Sequence, residues 1–513
     1  MTTTTEKAGV RQWLSLGVLT LAVMLLAIDG TVLALAVPAL TAALEPTATQ
    51  LLWIGDIYSF ALAGLLIVMG NLADRIGRKR LLLIGAAGFG VASVIAAFAS
   101  SAETLIAARA LLGIFGATLM PSTLSIIRNV FLDPVQRTRA IAVWAAGATA
   151  GAALGPLVGG ALLEQFWWGS VFLINLPVMI VIIVAGALLL PESKNPDAGP
   201  IDPMSALLSV AAIVPLVFAI KQLVGGGAVL PAAAAVVISV AAGLWFVRRQ
   251  RRLPVPLIDV ELFRVPAFSG AVIANTIAIF ALSGLLFFFS QYLQLVRGFR
   301  PLVAGLAELP LTLASIVVIL IIGRMVLWWG RGRSIGIGLL VAAAGLVALA
   351  GAEGLPQYVW LGLALIPIGL GIGVAMTLST DAVVAAAPRK RAGAAASISE
   401  TAYELGIALG IAVLGSLQML FYRSQLRLPD SLPAATRDAV TDSLASADRV
   451  LADGPFANVL ADAQHAFTVA MQFTSLAAAV LTAAAGILAW RLIPHDGIRA
   501  RKDGAEAVEA TRS

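Results

Sequence analysis

The stretch GNLADRIGRKR at residues 70–80 returns in part as GRMVLWWGRGR at residues 323–333. The two stretches share two glycines and two arginines in one register, as Gly70/Gly323, Gly77/Gly330, Arg78/Arg331 and Arg80/Arg333. Another pair, GATLMPST at 116–123 and GVAMTLST at 373–380, repeats at a similar offset. Two matches at near-equal spacing indicate a duplicated unit, which is how many secondary transporters are built.

The composition is that of a membrane protein. Of 513 residues, 60% are hydrophobic and 12% are charged, whereas soluble domains have about 45–50% and about 25%. Apolar runs recur along the chain, each near the ~20 residues that a helix needs to cross ~30 Å of hydrocarbon. Since lipid offers no partner to an unpaired backbone group, the sequence predicts an all-α polytopic protein.

The apolar runs predict about fourteen transmembrane helices. We expect a six-helix bundle in 1–199, two inserted helices in 200–255, and a second six-helix bundle in 256–513. The second bundle should carry an extracellular loop near 421–465, folded as a short helical hairpin, and a cytoplasmic tail. The predicted spans are 13–40, 51–72, 81–99, 104–127, 139–163, 168–190, 204–222, 228–247, 267–290, 301–323, 334–351, 358–380, 392–420 and 467–490.

Basic residues in short loops set the orientation. With a cytoplasmic amino terminus, the strongest basic loops fall inside, as the positive-inside rule requires. We therefore expect a protein of the cell's inner (plasma) membrane with both termini cytoplasmic. The first apolar run is too long for the core of a signal peptide and should remain as a helix. The loops hold Arg75, Arg78, Lys79 and Arg80; Arg128, Arg137 and Arg139; Arg248, Arg249, Arg251 and Arg252; Arg324, Arg331 and Arg333; and Arg389, Lys390 and Arg391.

Several classes of function are disfavoured by what the chain lacks. It has no cysteine, two histidines near span ends, no GxxxxGK[ST] phosphate loop and no HExxH motif. Disulfides and thiolate metal sites are excluded, and an enzyme, a metal site or an ATP-driven pump is not expected. The net charge of +6 lies in the short loops, so membrane topology explains it better than a nucleic-acid partner.

Charged residues inside apolar runs are the candidate site residues. Asp29 stands in AIDGTVLALAVP at 27–38, where a charge costs about 2.5 to 3.5 kcal/mol. Glu400 and Glu404 lie about 14 and about 20 Å from the basic break at Arg391, near the membrane midplane. Four residues apart, they share one helix face, where like charges repel. We expect at least one of the two to take up a proton readily.

Other charged residues carry weaker expectations. Asp56, Glu308 and Asp381 lie closer to span ends, where we expect them to be solvated. Arg109 either reaches the headgroups or sits in the cavity and tunes a neighbouring acid, and we favour the cavity. Lys221, near the end of an inserted helix, should reach the headgroups. A structural alternative is that the acids only pair with Arg109 or bond neighbouring helices.

Glycines mark the fifth span. GATAGAALGPLVGG at 147–160 places Gly147, Gly151, Gly155 and Gly159 on one helix face, with Pro156 and Gly160 beside them. Such faces allow close helix contact, and the proline permits a bend. Either this is static packing, or the helix controls the seam between two moving halves.

The loop at 70–80 also admits two interpretations. Gly70, Asp74, Arg75, Gly77 and Arg78 either record topology alone or form a cytoplasmic latch, in which Asp74 caps a helix or holds an arginine.

Taken together, these motifs resemble the fourteen-helix drug:proton antiporter family of the major facilitator superfamily. The resemblance covers essentially the whole chain. Its motifs are the 70–80 loop, RALLGIFGA at 109–117, GATAGAALGPLVGG at 147–160, IDGTVLALAVP at 28–38 with WIGDIYSFALA at 53–63, and SETAYELG at 399–406.

The resemblance implies roles for individual residues. Asp29 would face the cavity and serve proton coupling, cation recognition or both, with Glu400 and Glu404 as its partners across the cavity. Arg109 would assist proton coupling. The second basic loop has Leu327 where the first has Asp74, so an equivalent latch is doubtful there.

The leading hypothesis is a proton-driven antiporter that exports lipophilic cations, such as quaternary ammonium compounds and ethidium, by alternating access. It would need no cofactor beyond the proton gradient and would act as a monomer among membrane lipids. The alternatives are a proton-coupled exporter of a neutral or anionic antibiotic or lipid, and a membrane sensor or scaffold that transports nothing.

Overall fold

The computed structural model describes residues 8–194, 202–224, 227–254, 256–386, 392–451 and 456–494. Arg389, Lys390 and Arg391 of the predicted basic loops, and the predicted tail beyond residue 494, lie outside this part of the chain. Within it, 14 helical segments are long and apolar enough to cross a membrane, as predicted.

The helices follow the apolar runs. They are α1 Val10–Leu44, α2 Ala48–Ile76, α3 Arg78–Ala97, α4 Ala102–Val130, α5 Pro134–Gln165, α6 Ser170–Leu173, α7 Asn175–Leu189, α8 Pro203–Val224, α9 Val229–Gln250, α10 Pro266–Gln291, α11 Pro301–Ala307, α12 Leu309–Ala352, α13 Tyr358–Ala386, α14 Ala392–Gln425, α15 Ala434–Asp442, α16 Leu444–Leu451 and α17 Ala457–Leu492.

Polar residues begin several of these helices. The side chains of Thr47, Ser101 and Asp133 each accept a hydrogen bond from a backbone N–H in the first turn of α2, α4 and α5. Such caps satisfy donors that an apolar surrounding would leave unpaired.

The repeat is visible in the backbone. Gly77 and Gly330, which occupy matching positions of the two related stretches, both have positive φ, 117° and 76°. Glycine adopts this conformation without the strain of a Cβ atom. Gly77 separates α2 from α3, but Gly330 lies inside α12 as a kink. The break predicted at 324–333 is therefore a bend at one glycine.

Each half packs mainly on itself. In the first half α1 lies along α5 and α2 along α4; in the second, α12 lies along α13 and α17, and α10 along α14. The inserted helices α8 and α9 pair with each other. The predicted boundaries at 199/200 and 255/256 lie at or beside residues outside the described ranges and stay predictions.

The two halves meet near one face of the bundle. We call the end that holds Gly77 and Gly330 the basic-loop face, and the end that holds Glu45 and Arg300 the opposite face. At the opposite face, the Ala48 N–H donates to the Asp442 carboxylate over 2.9 Å, and Arg449 pairs with Glu45. The hairpin predicted in 421–465 is present there as α15 and α16, and it helps to close this face.

The inserted helix α8 contacts both halves. Val217 of α8 is buried in one cluster with Phe60 of α2 and with Ala408 and Ala412 of α14. This helix therefore lies over the seam between α2 and α14.

Candidate functional site

A cavity of about 440 Å³ lies between the halves, midway along the helices. Both halves line it, and much of its wall is aliphatic or aromatic, with Tyr58 and Trp144 from the first half and Phe287 and Tyr403 from the second. Its volume falls within the range of small-molecule sites, about 300–1,000 Å³.

Three carboxylates face this cavity, and all three come from the second half. They are Glu308, Glu400 and Glu404. The described residues that line the cavity include no lysine, arginine or histidine. Ser59 of α2 and Glu404 of α14 both line the cavity and interact across the seam. Glu308 Oε1 and Glu404 Oε2 are buried without a hydrogen-bond partner among the described residues. Two acids are thus open to a ligand inside the cavity.

The prediction that Glu308 is solvated is wrong. Glu308 is 3% exposed and lies at the junction of α11 and α12. Pro310 occupies the first turn of α12, and because proline lacks an N–H it favours a helix start at this point. The break turns Glu308 toward the cavity.

Asp29 lies behind the cavity wall rather than facing the cavity. It is fully buried, with Oδ2 accepting from Arg109 Nη1 at 3.2 Å and Oδ1 accepting from Asn175 Nδ2 at 2.8 Å. It is not among the described residues that line the cavity, so its expected position opposite Glu400 and Glu404 is corrected. A low dielectric surrounds the pair, and either charge alone would be costly there.

Arg109 is buried beside the cavity, in contact with residues that line it. Its Nε donates to the Ile54 carbonyl at 3.1 Å, and its Nη2 to the Gly55 carbonyl at 3.5 Å. The guanidinium lies 4.8 Å from the centre of the Tyr58 ring, and Tyr58 lines the cavity. Reaching the headgroups is excluded for this side chain.

Asp56 and Lys221 form a second buried ion pair, so two expectations are wrong. Lys221 Nζ lies 2.6 Å from Asp56 Oδ2, with 1% and 0% of the side chains exposed. The ammonium also lies 3.7 Å from the centre of the Trp53 ring. Lys221 therefore does not extend to the headgroups, and Asp56 is not solvated, because the two charges pair between α8 and α2.

Asp381 lies away from the cavity. Its side chain is 54% exposed and pairs with Arg331 over 2.8 Å. This contact supplies the second basic loop with an acid from α13, where the first loop carries its own Asp74.

The glycine face of α5 packs against α1. A Cβ atom at Gly147, Gly151, Gly155 or Gly159 would overlap Thr20, Met24, Thr31 or Val32 of that helix. Gly160 and Pro156 instead face α11 of the second half: a Cβ at Gly160 would lie 2.7 Å from Leu302 Cα, and one at Gly305 would overlap the Pro156 carbonyl. The motif thus supports packing within one half and contact across the seam.

In the loop at 70–80, Asp74 holds an arginine of the same loop, and the latch itself stays a prediction. Asp74 Oδ1 lies 2.7 Å from Arg78 Nη2, whereas Arg75 is exposed. Gly70 packs on Pro121 of α4, and a Cβ at Gly77 would overlap Glu192. Glu192 accepts the backbone N–H groups of Lys79 and Arg80, each at 3.2 Å. Glu192 therefore caps α3.

Sequence reasoning missed the polar residues that hold the acids. Asn175 joins Asp29 to the hydroxyl of Ser93 over 3.1 Å, and Ser59 contacts Glu404. The amide side chain of Asn175 stands inside the apolar run 168–190, and this polar residue among apolar ones could have identified Asn175 from the sequence. Among the residues that the structure describes, no group of three or more His, Cys, Asp and Glu side chains could hold a metal ion.

Comparisons with known proteins agree with this architecture. Residues 19–411 match the model of the Major Facilitator Superfamily. The multidrug efflux pump LfrA of Mycolicibacterium smegmatis is 45% identical over 494 residues, covering 94% of this chain and 97% of LfrA. The methyl viologen resistance protein SmvA of Salmonella typhimurium is 37% identical over 465 residues, covering 89% and 93%.

A solved structure shows the same fold. The crystal structure of a bacterial homolog of the human lysosomal transporter Spinster superposes with a TM-score of 0.66 at 18% identity, covering 94% of this chain and 97% of that one. Fold, family model and relatives agree over most of the chain, which therefore belongs to the Major Facilitator Superfamily and is a multi-pass membrane transporter rather than an enzyme.

Proposed function

We propose that this transporter exports lipophilic cations in exchange for protons, by alternating access of the central cavity to the two faces. Its relative LfrA is a multidrug efflux pump. The name of SmvA refers to methyl viologen, an aromatic compound with two quaternary nitrogens. The proposal carries this substrate class to the present chain.

The observation that carries the proposal is the charge of the cavity. Glu308, Glu400 and Glu404 lie among apolar and aromatic side chains, a surrounding that suits a lipophilic cation. Aromatic faces attract cations, by about 2 kcal/mol or more when the site is desolvated. A carboxylate that carries a proton loses its attraction for a cation, so proton and drug displace each other.

The first half supplies a proton site next to this cavity. A proton on Asp29 would neutralise the acid and leave Arg109 without its counter-charge. Arg109 contacts Tyr58, and the next residue, Ser59, interacts with Glu404 across the seam. This short route through α2 connects the Asp29–Arg109 pair to the cavity acids.

The proton gradient supplies enough energy to concentrate a drug across the membrane. Each charge gains about 2.3 kcal/mol per 100 mV, so one proton at an assumed ~150 mV supplies roughly 3.5 kcal/mol. That energy corresponds to a gradient of roughly a few hundredfold. A one-for-one exchange with a monovalent cation would be electroneutral and driven by the pH difference alone. Three cavity acids and Asp29 allow more than one proton per cycle.

Orientation follows from the same proposal. The positive-inside rule places the basic-loop face in the cytoplasm, and closure of the opposite face then leaves the cavity to collect drugs from inside the cell. We propose that the protein works as a monomer in the plasma membrane, because the cavity lies between the two halves of one chain.

The test uses purified protein in liposomes with an imposed pH gradient, following ethidium and internal pH together. We expect ethidium to accumulate as protons leave, and we expect this exchange to fail in Glu404→Gln. Glu353→Gln is a matched control, because Glu353 is buried at 2% exposure and bonds Ser475 outside the cavity. If folded protein moves neither ethidium nor protons, the proposal is wrong, and neutral or anionic drugs become the next substrates to test.

A further inference from the structure

Two of the four aromatic side chains that line the cavity are engaged by neighbouring groups. Arg109 lies over the Tyr58 ring, 4.8 Å from its centre. The ring of Phe287 packs edge to face against Phe288, with 5.1 Å between the ring centres. A third aromatic side chain, Tyr403, comes from α14, which also carries two of the cavity acids. The proposed function assigns none of these rings to a particular part of the drug.

Trp144 of α5 is the aromatic side chain that the first half leaves available to a drug. It lines the cavity and is 8% exposed. Among the residues that the structure describes, no aromatic ring and no cation packs on its indole. Aromatic side chains bind other rings by offset or edge-to-face contact, and their faces attract cations. The indole can therefore contact a planar aromatic cation.

Two successive hydrogen bonds fix the orientation of this indole. Thr123 of α4 donates its hydroxyl proton to the Met120 carbonyl over 2.7 Å. The Thr123 oxygen is thereby left as an acceptor, and the Trp144 Nε1–H donates to it over 3.2 Å. Because the indole is already held in one orientation, binding of a drug costs less conformational freedom.

The cavity carboxylates come from the other half of the molecule. Glu308 lies at the α11–α12 junction, and Glu400 and Glu404 lie on α14, whereas Trp144 lies on α5. A planar cation that contacts both sets of side chains is held by both halves. An aliphatic cation of equal charge can bind the carboxylates but offers no aromatic ring to Trp144.

We propose that Trp144 is the specificity-determining residue of the first half, which packs against the ring system of a planar aromatic cation while the second-half carboxylates hold its charge. This inference rests on the proposed function for the charge of the ligand, and it adds a preference for aromatic over aliphatic cations. Thr123 is a positioning residue, because it acts on the drug only through the orientation of Trp144.

The first test compares the equilibrium binding of two monovalent cations, ethidium and tetrapropylammonium, to the purified protein. We expect Trp144→Leu to weaken ethidium binding about tenfold, which is the upper range for a lost aromatic contact, and to weaken tetrapropylammonium binding less than about threefold. Trp144→Phe should retain most of the ethidium affinity, because a ring remains. Trp245→Leu is the matched control, because Trp245 lies on α9, 55% exposed and outside the cavity. Equal losses for the two cations in Trp144→Leu would overturn the inference.

Thr123→Val separates positioning of the indole from a merely structural role. This variant keeps the shape of the side chain but leaves the Trp144 N–H without its acceptor, so its unfolding temperature should fall in either case. Positioning predicts in addition a lower ratio of ethidium affinity to tetrapropylammonium affinity, and recovery of that ratio in Thr123→Ser. An unchanged ratio in folded Thr123→Val would remove the positioning role from Thr123.

Photolabelling locates the contact without any variant, and so answers the question even where Trp144→Leu does not fold. Irradiation of the wild-type protein with an azide derivative of ethidium, followed by peptide mass spectrometry, should place the adduct in the peptide that contains Trp144. An adduct confined to peptides of the second half would overturn the inference and leave the export of cations standing.

A neutral dye separates this inference from the proposed function. If the wild-type protein does not bind ethidium, the proposed substrate class is wrong, and Nile red, a planar dye without charge, then replaces ethidium in the comparison of wild type with Trp144→Leu. We expect the same preference for the wild-type protein, because contact between rings needs no charge. Equal affinity of both proteins for Nile red would overturn the role of Trp144 as well.

Discussion

Arg109 on α4 and Asp29 on α1 form an ion pair across 3.2 Å, with 2% and 0% of their side chains exposed. The pair is complete within the first half of the molecule. The acids that face the cavity belong to the second half, on the α11–α12 junction and on α14. The proposed function therefore assigns the carboxylates that recognise cations to the second half, and proton uptake both to these carboxylates and to Asp29 in the first half.

Neutralising Asp29 should destabilise the protein and stop exchange. Asp29→Asn leaves Arg109 as a buried, unpaired charge, and removing one partner of such a pair costs about 3 to 5 kcal/mol. Thermal unfolding in detergent should show a clear loss of stability. The double variant Asp29→Asn/Arg109→Gln should recover much of that stability without recovering exchange. Full exchange by Asp29→Asn would contradict a role in proton coupling.

Glu404→Gln should weaken the binding of cations selectively. The variant keeps the shape and the contact with Ser59 but removes one of three cavity charges. Equilibrium binding of ethidium should fall about tenfold or more, since hydrogen bonds and contacts to a charged group contribute about 1.5–3 kcal/mol. Binding of a neutral drug should change little. Equal loss for both compounds would assign Glu404 to the shape of the cavity instead of its charge.

Contact between α5 and α11 should control closure of the opposite face. A Cβ at Gly305 overlaps the Pro156 carbonyl, so Gly305→Ala should separate these helices, at about 1–3 kcal/mol for overpacking. The chain has no cysteine, and Thr149 lines the cavity, so Thr149→Cys provides a single reporter.

We expect Gly305→Ala to slow labelling of that cysteine by an impermeant maleimide from the basic-loop face. Gly351→Ala is the matched control, because no atom lies within 4 Å of its added Cβ. Labelling at the same rate in both variants would show that this contact does not hold the opposite face closed.

The start of α8 should be sensitive to acid. Partial burial raises the pKa of Asp202, but hydrogen bonds from Arg249 and Ser205 outweigh burial and hold this pKa below its usual value. A lowered pKa in the folded state adds stability above the unfolded value, near about 3.9, and this stability is lost as pH falls through the folded pKa.

Wild type should exceed Asp202→Asn in unfolding temperature at neutral pH, and the difference should vanish under acid conditions. Because the pair with Arg249 is partly exposed, we expect no more than about 1 kcal/mol. A difference that persists at low pH would mean that shape, and not charge, is responsible.

The sequence was sufficient for the spans and for part of the cavity. Long apolar runs leave few alternatives to membrane helices, and the spacing of Glu400 and Glu404 placed both acids on one face, which lines the cavity in the structure. Gly77 and Gly330, at matching positions of the two related stretches, both have positive φ. The repeat in the sequence therefore corresponds to a repeat in the backbone conformation.

Pairing between distant helices could not be predicted in the same way. Distance from a helix end suggested that Lys221 would reach the headgroups and that Asp56 would be solvated. Burial, however, depends on which helices become neighbours, and α8 packs against α2. Helix α1 is apolar on all sides, so no periodicity indicated that Asp29 turns toward Arg109 and Asn175 instead of the cavity. A search for opposite charges at similar depth would have found both pairs.

The separation of the acids between the two halves also bears on how this protein can evolve. Under the proposed function, new side chains around Glu308, Glu400 and Glu404 change the drug range without touching the Asp29–Arg109 pair, which lies on other helices. Selection by a new toxic compound can therefore change these second-half positions while the buried ion pair of the first half is conserved.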